Sequence, residues 1–319
     1  MTGQLSSALR QRRQIAWYAC GLLAACALWT VLPPTAAGGE RVSDGAAPGL
    51  RVAVSESVTG EVNGTDLRAA LKTWAAAIAR QTGVRMDPEL CTSEQLLQKI
   101  RNRQVDAFSI NVVEYAKVAA YVYPELVVDE TQVPDGDEYV LLVHQSSGIR
   151  SLADLRGRSL LLYKNTRSCL DRIWLDTLLA SAHLGAADAL LGRLESNPKQ
   201  SRVVLPVFFR QADACVATRR GYATMCELNP QLATQLRTLA VSPKLMVAFM
   251  AFHKDSPPEA RRKFLAAVTE LHKTVEGRQA LMLFQGTRLV RVDVSVLNNS
   301  LEMLRAYDRL KGKASSAGQ

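Results

Sequence analysis

Apolar positions along the chain follow two alternating patterns. Short apolar runs, such as residues 50–54, 159–163 and 245–252, predict buried strands. Between these runs, apolar side chains recur at helical spacing, as expected for amphipathic helices. The clearest such helical face consists of Leu67, Leu71, Trp74 and Ile78. The same patterns predict strands at 84–86, 138–144 and 212–217, and helices at 111–121 and 186–194. Strands that alternate with helices in this way predict an α/β fold with a mostly parallel sheet.

Residues 1–37 have the pattern of a targeting segment. Three arginines precede the uncharged run 15–32, which Pro33 ends, as in a signal peptide. Three outcomes stay open: cleavage after the small residues 35–37, lipidation of Cys26 in a lipobox-like Leu-Ala-Ala-Cys sequence, or retention as a membrane anchor. Each of these outcomes exports the rest of the chain.

Composition and charge narrow the class of protein. The chain has 319 residues, 48% of them hydrophobic, which is enough for one large core or for two lobes. The formal net charge is +9; three arginines against one glutamate give residues 1–40 a charge of +2, which leaves +7 for residues 41–319. Such a surface attracts anions or an anionic membrane. The charges are scattered without a basic helix or an aromatic-basic platform, so we expect no nucleic-acid partner.

The most informative stretch is the loop between the predicted strand 159–163 and a helix that carries Leu170 and Trp174. The loop contains Asn165, Thr166, Arg167 and Ser168. Free backbone N–H groups, hydroxyls and a cation at a helix N-terminus favour an anion there. The alternative is that Thr166 or Ser168 only caps the helix.

Three short motifs carry a resemblance to a known family. They are the Asp-Leu-Arg-Gly-Arg sequence at 154–158, the stretch 204–214, and Gln-Val-Asp-Ala-Phe-Ser at 104–109 with Glu114 and Tyr115. Together they resemble the phosphate, phosphite and phosphonate branch of bacterial periplasmic solute-binding proteins, over roughly residues 50–289.

This resemblance implies a type II periplasmic-binding-protein fold, in which two lobes close about a hinge over the ligand. Each lobe has a mixed, mostly parallel sheet flanked by helices. The implied organisation is a signal peptide or anchor at 1–37, a flexible linker at 38–49, lobe 1 at 50–138 and 247–310, lobe 2 with the hinge strands at 139–246, and a disordered tail at 311–319. Ligands in such sheets bind at the carboxyl ends of strands.

The resemblance also implies ligand-binding residues. The family's anion-binding loop matches Asn165, Thr166, Arg167 and Ser168. In lobe 1, the family's tyrosine matches Tyr115, and its ligand-binding loop matches Ser55 and Ser57. In lobe 2, the family's acidic residue, which meets a ligand amine, matches Asp213. Ser109, near a strand end, is a further candidate. Each has a structural alternative: Asp213 accepts backbone N–H bonds, Tyr115 packs on its helix, and Ser109 caps a helix.

The cysteines and the absence of enzyme motifs complete the picture. In an oxidising compartment Cys215 and Cys226 could form a disulfide, although their spacing does not establish the geometry. Cys169 lies at a predicted helix N-terminus, where a lowered thiol pKa would make it a nucleophile. We prefer the alternative, in which Cys169 only packs on the helix. No metal, dinucleotide or hydrolase motif occurs, so we expect no enzyme and no cofactor.

These observations predict an extracytoplasmic, periplasmic protein that captures a phosphorus oxyanion (a phosphonate, phosphite or phosphate) for an ABC permease. The alternative is a ligand-sensing module that signals to a membrane sensor kinase or cyclase. Neither reading requires chemistry on the ligand, because preorganised amides and hydroxyls together with lobe closure are sufficient for binding.

Overall fold

The computed structural model describes residues 49–59, 64–130, 136–164, 169–283 and 286–316. The predicted targeting segment, nearly all of the predicted linker and the loop 165–168 lie outside these ranges. Within them, no helix has both the length and the apolar character that crossing a membrane requires.

The described elements alternate as the sequence predicts. The strands are β1 (Leu50–Ser55), β2 (Met86–Cys91), β3 (Ala107–Asn111), β4 (Glu125–Asp129), β5 (Tyr139–His144), β6 (Ser159–Tyr163), β7 (Arg193–Asn197), β8 (Ala214–Thr218), β9 (Leu236–Val241), β10 (Ala248–Phe252) and β11 (Leu289–Asp293). The helices are α1 (Gly64–Thr82), α2 (Ser93–Arg101), α3 (Val112–Ala116), α4 (Asp171–Ser181), α5 (Ala187–Leu190), α6 (Ser201–Phe208), α7 (Arg219–Leu228), α8 (Gln231–Gln235), α9 (Pro258–Glu270), α10 (Val275–Leu283) and α11 (Asn298–Ser316).

The first sheet has the strand order β11-β4-β10-β3-β1-β2. Strands β2, β1 and β3 run parallel, and β10 and β11 pair antiparallel with their neighbours. Because β2, β1 and β3 are adjacent, their carboxyl ends meet at one edge of the sheet. We call the part of the chain built on this sheet lobe 1.

The second sheet has the order β7-β6-β8-β5-β9. Strands β7, β6 and β8 run parallel, and β5 pairs antiparallel with β8 and β9. We call the part built on this sheet lobe 2. The strands of lobe 1 thus come from segments that precede and follow lobe 2 in the sequence. The residue boundaries given above for the two lobes stay a prediction.

Two chain crossings and one long helix connect the lobes. One crossing precedes β5 and the other follows β9, and Asp137 and Leu245 bridge them with hydrogen bonds of 3.1 and 2.8 Å. Helix α11 packs against α4 of lobe 2 and α3 of lobe 1. Its Ser300 hydroxyl is buried and donates to the Met246 carbonyl of the second crossing at 2.8 Å.

Three predicted elements differ from the structure. The strand expected at 84–86 is β2, which starts at Met86. The helix expected at 186–194 ends at Leu190, and β7 follows it. The helix expected at 111–121 ends at Ala116. In each case half-exposed polar residues interrupt the apolar pattern on which the prediction depended.

Candidate ligand-binding site

Polar side chains cluster where the parallel strands of lobe 1 end. Ser55 is the last residue of β1 and lies opposite Cys91, the last residue of β2. Ser93 follows β2 closely, and Asn111 ends β3. In open α/β sheets this edge is where ligands bind.

Glu114 organises this cluster. Its carboxylate is 4% exposed and accepts hydrogen bonds from the Ser55 hydroxyl at 2.5 Å and the Ser57 hydroxyl at 2.8 Å. It also accepts one from the Ser93 hydroxyl and one from the Asn111 backbone N–H at 2.9 Å. These four bonds match the roughly four lone-pair sites that a carboxylate offers. We call Glu114 with Ser55, Ser57 and Ser93 the Glu114 cluster.

Local sequence explains why Glu114 points here. Asn111 is the N-cap of α3, and its side-chain oxygen accepts a hydrogen bond from the Glu114 backbone N–H at 2.9 Å. The Glu114 side chain returns to the Asn111 N–H, which completes a capping box. The Asn111 amide also donates to the Ser57 hydroxyl at 3.0 Å.

Lobe 2 meets this cluster through the segment that follows the loop 165–168. The Val113 backbone N–H, on α3, lies close enough to Cys169 to influence the pKa of its thiol, and both residues pack against a hydrophobic core that the two lobes share. Burial raises the pKa of the Cys169 thiol to about 12, with the charges of Asp171 and Glu114 adding to the effect. This environment favours packing over a nucleophilic role for Cys169, because a reactive thiol needs a lowered pKa.

Asp171 begins α4 beside Cys169 and is 1% exposed. Burial raises its pKa to about 6, although backbone N–H bonds and the charges of Lys164 and Arg172 oppose the rise. Its Oδ2 atom has no hydrogen-bond partner among the described residues. Lobe 2 therefore holds a second buried carboxylate, and the charges of Asp171 and Glu114 both act on the Cys169 thiol.

Tyr115 lies on α3 and is 6% exposed. Its ring packs edge-on against Phe249, with ring centroids 5.6 Å apart. Burial raises the pKa of its hydroxyl. The residue sits next to the Glu114 cluster, but the contact described is packing, which corresponds to the alternative given for it.

The structure does not bring Asp213 to this site. β8 starts at Ala214, so Asp213 precedes the strand and lies at the opposite end from the loop 165–168. Its carboxylate accepts hydrogen bonds from the Ser159 backbone N–H at 2.9 Å and hydroxyl at 2.7 Å, and Arg158 lies 3.5 Å away. These contacts correspond to the structural alternative given for Asp213, and its role as the partner of a ligand amine stays a prediction.

Ser109, Cys215 and Cys226 are three further residues that the sequence singled out. Ser109 lies inside β3, between Val54 of β1 and Met250 of β10, rather than at its end. Cys215 and Cys226 are both free thiols, so the structure contains no disulfide between them. Within the described ranges, no three His, Cys, Asp or Glu side chains are grouped so that they could hold a metal.

Sequence reasoning assigned no role to Glu114, Ser93 or Asp171. A signal for Glu114 was present, because Asn111 followed three residues later by glutamate is a capping-box pattern. The contacts of Glu114 with Ser55 and Ser93 depend on the alignment of β1, β2 and β3, which the local pattern does not contain.

The fold resembles solved binding proteins. A binding-protein component of an ABC phosphonate transporter from Pseudomonas aeruginosa is 13% identical with a TM-score of 0.55, and the match covers 83% of this chain and 88% of that one. PhnD1 from Prochlorococcus marinus, in complex with methylphosphonate, has the same identity and TM-score, with 81% and 98% covered. A Xanthomonas citri protein bound to ATP is 14% identical with a TM-score of 0.57, with 83% and 99% covered.

These similarities confirm the predicted fold, which is that of the two-lobed type II periplasmic binding proteins. The family described as "ABC transporter, phosphonate, periplasmic substrate-binding protein" matches residues 57–297, so the chain belongs to that family. It is a periplasmic binding protein for a phosphonate-type ligand and works with an ABC transporter. The family gives the sensor alternative no support. Comparison with the curated proteins gives no match.

Proposed function

We propose that the protein captures a phosphorus oxyanion in the cleft between the lobes and releases it unchanged to its ABC permease. The observation that carries this proposal is the hydrophobic core shared by the two lobes, against which Val113 of lobe 1 and Cys169, which follows the loop 165–168, both pack. Lobe closure over this cleft excludes water from a bound anion.

The proposed anion anchor is the loop Asn165, Thr166, Arg167 and Ser168, which lies outside the described residues. It precedes α4, so its backbone amides and hydroxyls are suited to an oxyanion. Ser55, Ser57 and Tyr115 form the proposed lobe 1 side. Ser109 is a weaker candidate, since it lies within β3, and Asp213 is left out because of its position.

A thermal-shift screen of the full-length protein tests the proposal. The ligands are phosphate, phosphite, methylphosphonate, aminoethylphosphonate, sulfate and ATP; ATP is included because the Xanthomonas citri structure contains it. A ligand at a hundred times its dissociation constant stabilises a protein by about 2.7 kcal/mol. We expect a selective shift with one phosphorus oxyanion, and mass spectrometry of the released ligand should recover it unmodified.

The Thr166→Ala/Ser168→Ala variant should lose most of that shift. Ser181→Ala, at the far end of α4, is the matched control and should keep it. A full shift in the double variant would place the anion elsewhere. No shift with any phosphorus oxyanion in the unmodified protein would refute the proposal as a whole.

The N-terminal segment has a proposed role as well. We infer that it exports the protein, with cleavage after 35–37, lipidation at Cys26 or retention as an anchor as the three outcomes. Intact-mass measurement of the protein isolated from cells distinguishes them, because only lipidation adds mass to Cys26.

A further inference from the structure

The Glu114 cluster has a consequence for ligand choice, which rests on the proposed function. A serine hydroxyl has a single proton to donate. The hydroxyls of Ser57 and Ser93 donate that proton to the Glu114 carboxylate, and the Ser55 hydroxyl donates its proton to Glu114 or to the Ser57 oxygen. Toward a ligand, these hydroxyls can therefore offer only acceptor lone pairs.

Two of the three hydroxyls border open space. Ser57 and Ser93 are half-buried, whereas Ser55 is fully buried. They lie at the carboxyl ends of β1 and β2, the edge at which ligands of open α/β sheets bind. The lobe 1 wall thus presents acceptor oxygens in front of a buried negative charge.

Such a wall is unsuited to a fully ionised oxyanion. An oxyanion needs donors, and the repulsion from a carboxylate grows in a site that excludes water. On the lobe 2 side, Cys169, Asp171 and Lys164 are the titratable neighbours, and Asp171 is a buried carboxylate with one oxygen that has no partner among the described residues. A donor on the ligand would complement the acceptor oxygens of lobe 1.

We propose that Glu114 is a specificity-determining residue, which makes lobe 1 select ligands that carry a hydrogen-bond donor toward it. Two groups have this chemistry on a phosphorus oxyanion: the P–OH of a singly ionised phosphonate and the N–H of an attached ammonium group. The oxyanion end then faces lobe 2, and the donor end faces Ser57 and Ser93.

The test compares three ligands by isothermal titration calorimetry at pH values on both sides of the second phosphonate ionisation. Methylphosphonate can carry a P–OH, aminoethylphosphonate adds an ammonium group, and methanesulfonate carries neither. If P–OH is the donor, the affinity for methylphosphonate should fall about tenfold per pH unit above that ionisation. If ammonium is the donor, aminoethylphosphonate should bind at least about tenfold tighter than methylphosphonate at every pH. Methanesulfonate should bind weakest in both cases.

Glu114→Gln identifies the cause of the selection. Its amide oxygen can still accept from the Asn111 N–H, so the capping box is preserved, while the negative charge is removed and the hydroxyl protons are partly freed. We expect the pH dependence or the amine preference to shrink about tenfold, and the affinity for the fully ionised phosphonate to rise. Glu56→Gln, an exposed carboxylate on the same turn as Ser57, is the control and should change neither.

Ser57→Ala provides a second measurement in case Glu114→Gln unfolds, and it should weaken the donor-bearing ligand several-fold. If the unmodified protein binds phosphonates without regard to pH or an amine, the inference about Glu114 is wrong and the proposed function stands. If it binds no phosphorus oxyanion, the proposed function fails and this inference fails with it.

Discussion

At the scale of single residues, Asp171 has the least favourable environment of the described carboxylates near the cleft. It is buried at the start of α4, and one of its oxygens has no partner among the described residues. A charged group in such a place disfavours folding unless it takes up a proton. Its pKa is accordingly raised to about 6 by burial.

Asp171→Asn should therefore change the pH dependence of stability. A raised pKa in the folded state favours folding below the unfolded value of about 4, and this contribution is lost as the pH rises through about 6. Relative to the variant, the unmodified protein should lose up to roughly 3 kcal/mol between these two limits. Urea unfolding at about pH 4 and about pH 7 measures the difference.

Asp188→Asn is the matched control, because Asp188 is exposed and its hydrogen bond to Arg172 lowers its pKa. The small contribution of Asp188 to the free energy of unfolding should have the opposite pH dependence, so that it is lost as the pH falls. Equal pH trends in the unmodified protein and Asp171→Asn would show that Asp171 is not a buried titrating group.

The candidate site was predictable at this scale only in part. Ser55 and Ser57 lie at the carboxyl end of β1, as the pattern predicts, because a polar turn after an apolar strand marks the edge of a parallel sheet. The role of Asp213 came from the resemblance, whereas the residue precedes Ala214 at the amino end of β8, away from the carboxyl ends where ligands bind. Control of the serines by Glu114 depends on strand alignment and was not predictable.

At the scale of elements, the strands that could be predicted from the sequence are the buried ones. β1, β5 and β6 have apolar runs and were predicted closely. β2, β7, β9 and β11 are the outer strands of their sheets, where one side has no partner, and their exposed polar residues hide the pattern. β4 is interior but was missed, because only Leu126, Val127 and Val128 separate its acidic ends.

Gly136 offers a test of the crossing between lobes. Its φ of +96° lies in the left-handed region, and an added Cβ would lie 2.0 Å from the Leu245 carbonyl oxygen. Gly136→Ala should therefore incur backbone strain of roughly 1–3 kcal/mol and, in addition, a clash that separates the two crossings. The denaturant midpoint measures the loss in the free energy of unfolding.

Gly148→Ala separates strain from clash. Gly148 has a φ of +76°, but nothing lies within 4 Å of its added Cβ, so only strain applies. Gly136→Ala should therefore be clearly the more destabilising of the two. If the two variants lose the same stability, the crossings are not packed against each other at Gly136.

At the scale of the whole molecule, the structure has its two lobes in contact. Residues of both lobes form one hydrophobic core, against which Val113 and Cys169 pack, and α11 packs on helices of both lobes. Two lobes joined by two crossings are a hinge architecture, in which a ligand favours the closed form by its additional contacts there. Because Cys169 packs against the core that residues of both lobes form, we expect its thiol to become accessible when the lobes open.

Ligand binding should therefore protect Cys169 from alkylation. With a thiol pKa of about 12 in the closed form, almost no thiolate is available there, so reaction proceeds through the open form. A saturating ligand from the thermal-shift screen should slow iodoacetamide labelling of Cys169 about tenfold or more, because it reduces the open population. Peptide mass spectrometry resolves the cysteines, and half-buried Cys226 of α7, within lobe 2, should keep its rate. An unchanged Cys169 rate in the presence of a stabilising ligand would mean that the ligand binds without closing the lobes, and the packing of Cys169 against the shared core would then have no part in its capture.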